Sequence, residues 1–454
     1  MHLCRDVTCN VSTIPLYGRV YQNTSFSTEI LGSPAPTDSR LPTPNSRLLM
    51  NKHILVISSV YPQNAEGNHG AFVREAVLRC QSAETTFSVF APAYEGSKSH
   101  MLDGIKVHRF RYCIKRFENL VRDGAPTKLQ KQPLYLLAAA LYILLGTIQL
   151  FLVCCKEKPA LLHVHWAFPH GLMAFPASKI LGIPMVFSFH GAELLLANKF
   201  RFVSSILRWL TPHAKSVTAN SSFTLGLVRK IYSGAVTVIP YGLTIEAKPP
   251  KQRAAGAIPQ LLFVGRLDER KELRYLLEAL TLILKQQPVC LKVVGKGILE
   301  TEIKSQCQDM GLDNVVDFLG FVSKEELADA YAWCDIFVLP AIVDSKGDTE
   351  GLGIVMIEAL AHEKPVIASA VGGIGDVIRS GVTGLLVPQK DPYALAAAIL
   401  KVLAEPNLAQ QLGRQGLQDV QVRFGWSRIV PLWQEVFSSA LANTAPTLSQ
   451  TVKL

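Results

Sequence analysis

The sequence predicts an α/β protein of two doubly wound domains facing each other across a cleft. Three observations carry this. Short apolar, β-branched runs alternate with helical stretches in two separate series, a proline- and cation-rich break divides the series, and polar or glycine-rich residues collect where the runs end.

In the first series "HILVIS" (53–58), "TFSVFAP" (86–92), "IKVHRF" (105–110), "LLHVHW" (161–166), "PMVFSFH" (184–190), "SVTAN" (216–220) and "AVTVIP" (235–240) read as strands. Their apolar character is continuous rather than alternating, the mark of strands buried on both faces of a parallel sheet. Helical stretches such as "AFVREAVLRCQS" and "FRFVSSILRWL" separate them. The rhythm pauses at 245–258, "IEAKPPKQRAAGAI", where two prolines and three cations make a linker. A second series follows: "QLLFVGR" (260–266), "CLKVVGKG" (290–297), "VVDFLG" (315–320), "DIFVLP" (335–340), "KPVIAS" (364–369) and "TGLLVP" (383–388). The expected layout is an N-terminal disordered extension (1–49), a first domain (50–247), a second domain (259–426) and a last helix (427–442) packing back toward the first domain. Ligands of such sheets bind at the carboxyl ends of the strands, so two facing sheets place the chemistry in the cleft.

The first 49 residues stand apart. Residues 33–46, "SPAPTDSRLPTPNS", are too poor in apolar side chains to offset the entropy of ordering. No basic start leads into an apolar run, so a signal peptide is not expected. Met50 precedes the first strand directly, and the expectation is that it is the functional start.

At 454 residues, 49 % hydrophobic and 18 % charged, the chain has ample apolar surface for two cores. The net charge of +10 favours anionic partners. No aromatic-interleaved basic stretch and no zinc-finger spacing occurs, so nucleic acid is not expected among them. The nine cysteines form no C-x-x-C pair and read as reduced thiols of a cytoplasmic protein. Residues 132–155, "QPLYLLAAALYILLGTIQLFLVCC", carry no charge and are flanked by Lys131, Lys156 and Lys158. The segment is long enough to span a bilayer. The βαβ rhythm, which requires a helix here, favours a domain helix with an exposed apolar face touching a membrane.

Glu350 and Glu358 lie eight residues apart. If 351–358 are helical, they are separated by about 12 Å, too far for a glycosidase pair and close to the hexose-to-ribose span of a sugar nucleotide. Gly351 and Gly353 would let the backbone approach a ligand, and the helix start near Ile354 would be an anion site. A strand end followed by "VGRLDERKEL" puts Arg266 and Lys271 five apart, suited to two neighbouring phosphates. Cations at a helix start oppose its dipole, a conflict that a bound diphosphate would relieve.

Together, "VGRLDERKEL", "VVGKG", "EGLGIVMIEALAHEKPVIAS", "VGGIGDVI" and "GVTGLLVPQKDP" resemble, in order and spacing, the retaining GT-B glycosyltransferases of family 4, bacterial cell-surface polysaccharide type. The resemblance covers about 51–440 and implies two Rossmann-like domains. It implies donor contacts from Gly67, Gly70, Arg266, Lys271, Gly351, Leu352, Gly353, Ile354 and Glu358, and catalytic parts for His190, Glu350, Arg266 and Lys271. "FSFHGAE" resembles the family's His-Gly motif, whose histidine, here His190, faces the transferred sugar. "HVHWAFPHG" resembles its histidine-rich strand end; His163, His165 and His170 stay open between packing and acceptor contacts. Asp376, Tyr241, Thr244 and Glu193 depart from the residues common at their positions.

The implied activity is metal-independent hexosyl transfer from a nucleotide-diphosphate sugar to a glycan or lipid-linked acceptor. No D-x-D occurs in the chain, and no cofactor or metal is expected. A sugar-nucleotide epimerase and a degenerate binding module on the same fold are the rival readings. The expected location is cytoplasmic, with peripheral contact on the inner face of an anionic membrane.

Overall fold

The computed structural model describes residues 52–67, 69–120, 134–249 and 256–442. The 1–49 segment, Met50 as a start, Lys131 and the middle of the 245–258 linker lie outside the described residues.

The first sheet has eight strands: β1 (Lys52–Ile57), β2 (Thr85–Pro92), β3 (His100–Leu102), β4 (Ile105–Phe110), β5 (Leu161–His165), β6 (Met185–Phe189), β7 (Ser216–Ala219) and β8 (Thr237–Val238). Their order is β3-β4-β2-β1-β5-β6-β7-β8. All neighbours are parallel except β3 and β4. Ile54–Ile57 of β1 and Met185–Phe187 of β6 are fully buried, which explains the unbroken apolar runs. The sequence pass misses β3. It is three residues long, and Asp103 and Gly104, both at positive φ, turn it into β4. An Asp-Gly pair is a hairpin signal, so β3 was detectable in principle. The expected strand at 235–240 shrinks to two residues. It is the sheet edge and pairs only at Thr218↔Thr237 and Ala219↔Val238.

The second sheet has six parallel strands: β9 (Gln260–Val264), β10 (Cys290–Val294), β11 (Val316–Gly320), β12 (Ile336–Leu339), β13 (Val366–Ser369) and β14 (Gly384–Val387). Their order is β11-β10-β9-β12-β13-β14. Chain order reverses between β9 and β12, as it does between β1 and β5 in the first sheet. Crossovers leave these points in opposite directions and open a crevice at the carboxyl ends.

The helix Leu134–Glu157 makes the crossover into β5. Its buried residues Tyr135, Ala138, Tyr142, Gly146, Leu150 and Cys154 recur every three or four positions, one stripe of an α-helix. A Cβ on Gly146 would lie 2.3 Å from Met173 Cε, so the glycine lets the neighbouring helix, Ala167–Leu181, come close. The last helix, Trp426–Ala442, returns to the first domain. Its Ile429, Trp433, Val436 and Phe437 join a core with Ile54, Val56, Val73 and Phe87.

Candidate active site

After β9 the chain turns through Gly265 to Lys271, closed by Lys271 N–H donating to the Asp268 carbonyl at 3.1 Å. The turn presents three cations. Arg266 reaches Asp268 at 3.1 Å and its side chain is 56 % exposed. Arg270 meets the same carboxylate at 3.3 Å. Lys271 pairs with Glu350 Oε2 at 2.6 Å. Arg270 is a residue that sequence reasoning missed, although it stands within the quoted motif. Burial would push Glu350 up, but the Lys271 ammonium and the Arg270 guanidinium hold its carboxyl below its ordinary value.

Glu350 lies near the end of the loop that leads from β12 into the helix Ile354–Ala361. The expected helix over 351–358 therefore needs correction. Residues 351–353 are non-helical, and Gly353 caps the helix at φ 89°, a left-handed conformation that side chains with a Cβ rarely adopt. Only Ile354 to Glu358 advances along a helix axis, about 6 Å. The loop before it is held from behind. Gly373 N–H donates to the Glu350 carbonyl at 2.8 Å. A Cβ on Gly373 would lie 2.0 Å from the Gly351 carbonyl oxygen. Leu352 points into the core at 2 % exposure, so only its backbone can meet a ligand.

Glu358 is buried, and protein hydroxyls occupy both of its oxygens: Thr244 donates to Oε1 and Tyr331 to Oε2 at 2.9 Å. Burial raises its pKa. A diol reaching this carboxylate would have to exchange with one of those hydroxyls.

On the first-domain side, the loop after β1 contains Gly67 and ends at Gly70, the left-handed cap (φ 86°) of the helix Ala71–Cys80. The buried Arg109 guanidinium holds this loop by donating to the carbonyls of Tyr61 (2.9 Å) and Pro62 (2.6 Å). Further along the sheet, the ends of β5, β6, β7 and β8 bring together His165, His190, Asn220 and Tyr241. His165 Nδ1 and His190 Nε2 are 2.9 Å apart, and His190 Nδ1 and the Tyr241 hydroxyl 2.7 Å. Asn220 Nδ2 donates to the same hydroxyl at 2.9 Å. Burial, then the neighbouring histidine, holds His190 well below its ordinary pKa; burial does the same to His165. His190 N–H donates to Glu193 Oε1 at 3.1 Å, while burial lifts the Glu193 carboxyl to about 7.

His170 is not brought to the cleft. It is buried, its Nε2 meets the Tyr142 hydroxyl at 2.9 Å, and its Nδ1 donates to the His165 carbonyl at 2.9 Å. It packs behind the strand end, with burial lowering it to about 4. His163 likewise faces Ser188 at 2.8 Å and is lowered by burial to about 3.

The two sides touch. A Cβ on Gly351 would sit 3.1 Å from the His190 carbonyl oxygen. Ser221 Oγ donates to the Gly351 carbonyl at 2.7 Å, Ser222 Oγ donates to Asp376, and Lys199 pairs with Asp348 at 2.8 Å. The His190 backbone thus abuts the loop that carries Glu350. A pocket beside it is lined by Phe72, His165, His190, Asn220, Tyr241 and Trp426. Sequence reasoning did not assign Asn220 or Ser221 to the site; the only signal is a polar pair ending an apolar strand. Among the described residues, no group of three or more His, Cys, Asp or Glu is arranged to hold a metal ion.

A crevice between two doubly wound domains, with cations and a helix start on one side and a histidine on the other, marks a class of α/β proteins whose site suits an anionic ligand. Comparison with known proteins narrows the class. Residues 71–247 match the model of Glycosyltransferase Family 4, and residues 244–419 match that of Glycosyl transferases group 1. An uncharacterised glycosyltransferase of Methanocaldococcus jannaschii is 31 % identical over 181 residues, 40 % of this chain and 45 % of that protein. The amylovoran biosynthesis glycosyltransferase of Erwinia amylovora is 38 % identical over 145 residues, 32 % of this chain and 35 % of that protein. The chain thus spans less than half the length of both relatives. The HepE protein of Anabaena, solved in complex with UDP-glucose, has a TM-score of 0.64 at 20 % identity, covering 85 % of this chain and 99 % of that one. The chain belongs to the family-4 glycosyltransferases and has their GT-B fold.

Proposed function

We propose that the protein transfers a hexosyl group from a nucleotide-diphosphate sugar to a glycan or lipid-linked acceptor, with retention and without a metal. The observation that carries this reading is the Lys271–Glu350 pair, flanked by Arg266 and Arg270 and set at the start of the helix Ile354–Ala361, opposite His190. An incoming diphosphate would meet Lys271, Arg266 and the free N–H groups of the helix start, which would stabilise charge as the nucleotide leaves. Gly67 and Gly70 would border the phosphates from the first domain. Gly351, Leu352, Gly353 and Ile354 would offer backbone, and Glu350 would orient the sugar. Glu358 would take the ribose in exchange for Thr244 or Tyr331. The UDP-glucose complex of HepE supports a nucleotide-sugar donor, and the amylovoran relative supports a place in cell-surface polysaccharide biosynthesis. Retention rests on the family resemblance, and the absence of D-x-D supports transfer without a metal.

The test is a panel of UDP-, GDP- and ADP-linked sugars, read first by thermal shift and then by transfer to a lipid-linked acceptor. A shift with one nucleotide class, lost in Glu358→Ala, is expected. Product formed from the donor without any acceptor would sink the transferase reading.

A second observation favours work at a membrane. The helix Leu134–Glu157, about 36 Å long, turns Leu134, Leu137, Leu144, Ile148 and Leu152 to solvent. Only 22 % of its most apolar window is buried. On the adjoining helix Ala167–Leu181, Phe175 packs on Trp209 at 4.7 Å and Lys179 lies 5.6 Å over the same ring. Residues 111–230 carry 15 Lys and Arg against 4 Asp and Glu, so the positive charge of the chain is concentrated in the segment that carries the apolar face. An apolar stripe with an aromatic and cationic border suits peripheral binding to an anionic bilayer. Co-sedimentation with vesicles containing phosphatidylglycerol, and not with phosphatidylcholine alone, is the expected result. Equal binding to neither would overturn the membrane reading.

A further inference from the structure

The ends of β5, β6, β7 and β8 form a chain of hydrogen bonds whose direction follows from its donors. Asn220 Nδ2 has only protons to offer, so the Tyr241 oxygen accepts from it at 2.9 Å. The single Tyr241 proton then goes to its other partner, His190 Nδ1, at 2.7 Å. Of the two neutral tautomers, the one with Nδ1 as acceptor gives that proton a partner. The His190 proton therefore sits on Nε2 and is donated to His165 Nδ1 at 2.9 Å. His165 in turn carries its own proton on Nε2. The ring is also held in orientation: His165 lies nearly coplanar with it, centroids 5.1 Å apart at 13°, and Tyr241 lies at 5.7 Å and 22°. Phe72 closes one side at 5.5 Å and Trp166 another at 4.4 Å.

We propose that Tyr241 is a positioning residue for His190, fixing its ring as the neutral tautomer with the proton on Nε2. The function of the device is selection. It leaves Nδ1 as the nitrogen open to exchange, and as an acceptor, so it suits a sugar hydroxyl that replaces the phenol and not a carbonyl-type group. Tyr241 was legible in the sequence only as a departure from the residue common at its position in the family it resembles, and the structure gives that departure a chemical consequence.

The functional arm of this proposal rests on the transferase reading; the tautomer arm does not. The experiment uses the full chain labelled with 15N-histidine, at rest and without donor. In the natural sequence His190 and His165 are expected as single tautomers protonated on Nε2. Asn220→Asp replaces a donor with an acceptor. The Tyr241 hydroxyl should then turn to the new carboxylate, and the protons of His190 and His165 should move to Nδ1. Tyr241→Phe cuts the chain and should leave His190 without a single tautomer. With a transferable donor in hand, Tyr241→Phe should lower kcat about tenfold while the donor KM stays within about twofold, the loss of one oriented hydrogen bond. His190 protonated on Nδ1 at rest, or unmoved by both substitutions, overturns the proposal. Should Tyr241→Phe fail to fold, the Asn220→Asp reversal decides alone. If the natural chain turns over no donor but the tautomers behave as stated, the transferase reading fails and the positioning role stands.

Discussion

The two sides of the cleft are built on the same plan and carry opposite electrostatics. In the second domain the residues after β9 and β12 are charged and paired, with Lys271 on Glu350 and two guanidiniums on Asp268. In the first domain the residues after β5, β6, β7 and β8 are neutral, buried or half-buried, and joined by single hydrogen bonds. A carboxylate that already holds an ammonium can give it up to a phosphate at modest cost, because one anion replaces another. A buried imidazole has no such reserve, and burial keeps it uncharged. On the proposed function, one wall trades partners with an anion and the other offers a neutral, oriented hydrogen-bond acceptor.

The comparison breaks most visibly at Lys271. Lys271→Ala should lower turnover by about a thousandfold, the scale of losing a preorganised charge at a leaving group. Circular dichroism should stay unchanged; near-normal turnover would remove the second-domain wall from the mechanism.

Acid tests the opposite wall. Burial lowers the pKa of His163, His165, His170 and His190 below the unfolded value of about 6.5. The unfolded chain therefore binds more protons as pH falls from 7 to 5. Stability should drop by about 2 kcal/mol between pH 7 and 5 for each histidine that charges only on unfolding, the slope approaching its full value below about pH 6. Glu193, raised to about 7, works the other way, since its contribution is full below about 4.5 and fades as pH rises through 7. Glu358, raised by burial, acts in the same sense as Glu193, and four histidines outweigh the two carboxyls. Urea midpoints at pH 7, 6 and 5 check this, and a flat or rising series would contradict the neutral wall.

Smaller effects sharpen the contrast. Leu144→Ser with Ile148→Ser and Leu152→Ser should abolish co-sedimentation with anionic vesicles and shift the urea midpoint little, because these side chains are already in water. Retained vesicle binding would move the membrane contact elsewhere. Arg266→Gln should change stability by less than about 0.5 kcal/mol, as befits an exposed ion pair. Donor affinity should fall roughly tenfold, the scale of one charge-assisted contact. Calorimetric titration with the nucleotide diphosphate would show it, and unchanged affinity would leave Arg266 without a part in binding.

Much of this was legible before folding was considered. Arg266, Lys271, Gly351 and Gly353 sit in two short contiguous stretches, so a local pattern suffices to find them. Arg270 was passed over only because Arg266 and Lys271 already satisfied the expected pair of cations. The first-domain cluster is different. His165, His190, Asn220 and Tyr241 are separated by more than twenty residues at each step, and no periodicity links them. Glu358 was read as an open ribose clamp because Thr244 and Tyr331, its two hydroxyl partners, are 114 and 27 residues away. His170 looked equivalent to His165 in sequence; the helix Leu134–Glu157 covers one and not the other.

The sequence by itself determined the elements, the two βαβ series, the break between them and the loops that carry charge. These depend on local propensity, apolar periodicity and capping, which act over a few residues. Only the tertiary structure decided that Lys271 meets Glu350, that the His190 backbone abuts Gly351, and that Tyr241 takes the ring of His190. A hydrogen bond reaches about 3 Å. Which groups come within that reach is set by strand order and crossover packing, quantities that no short stretch of the chain contains.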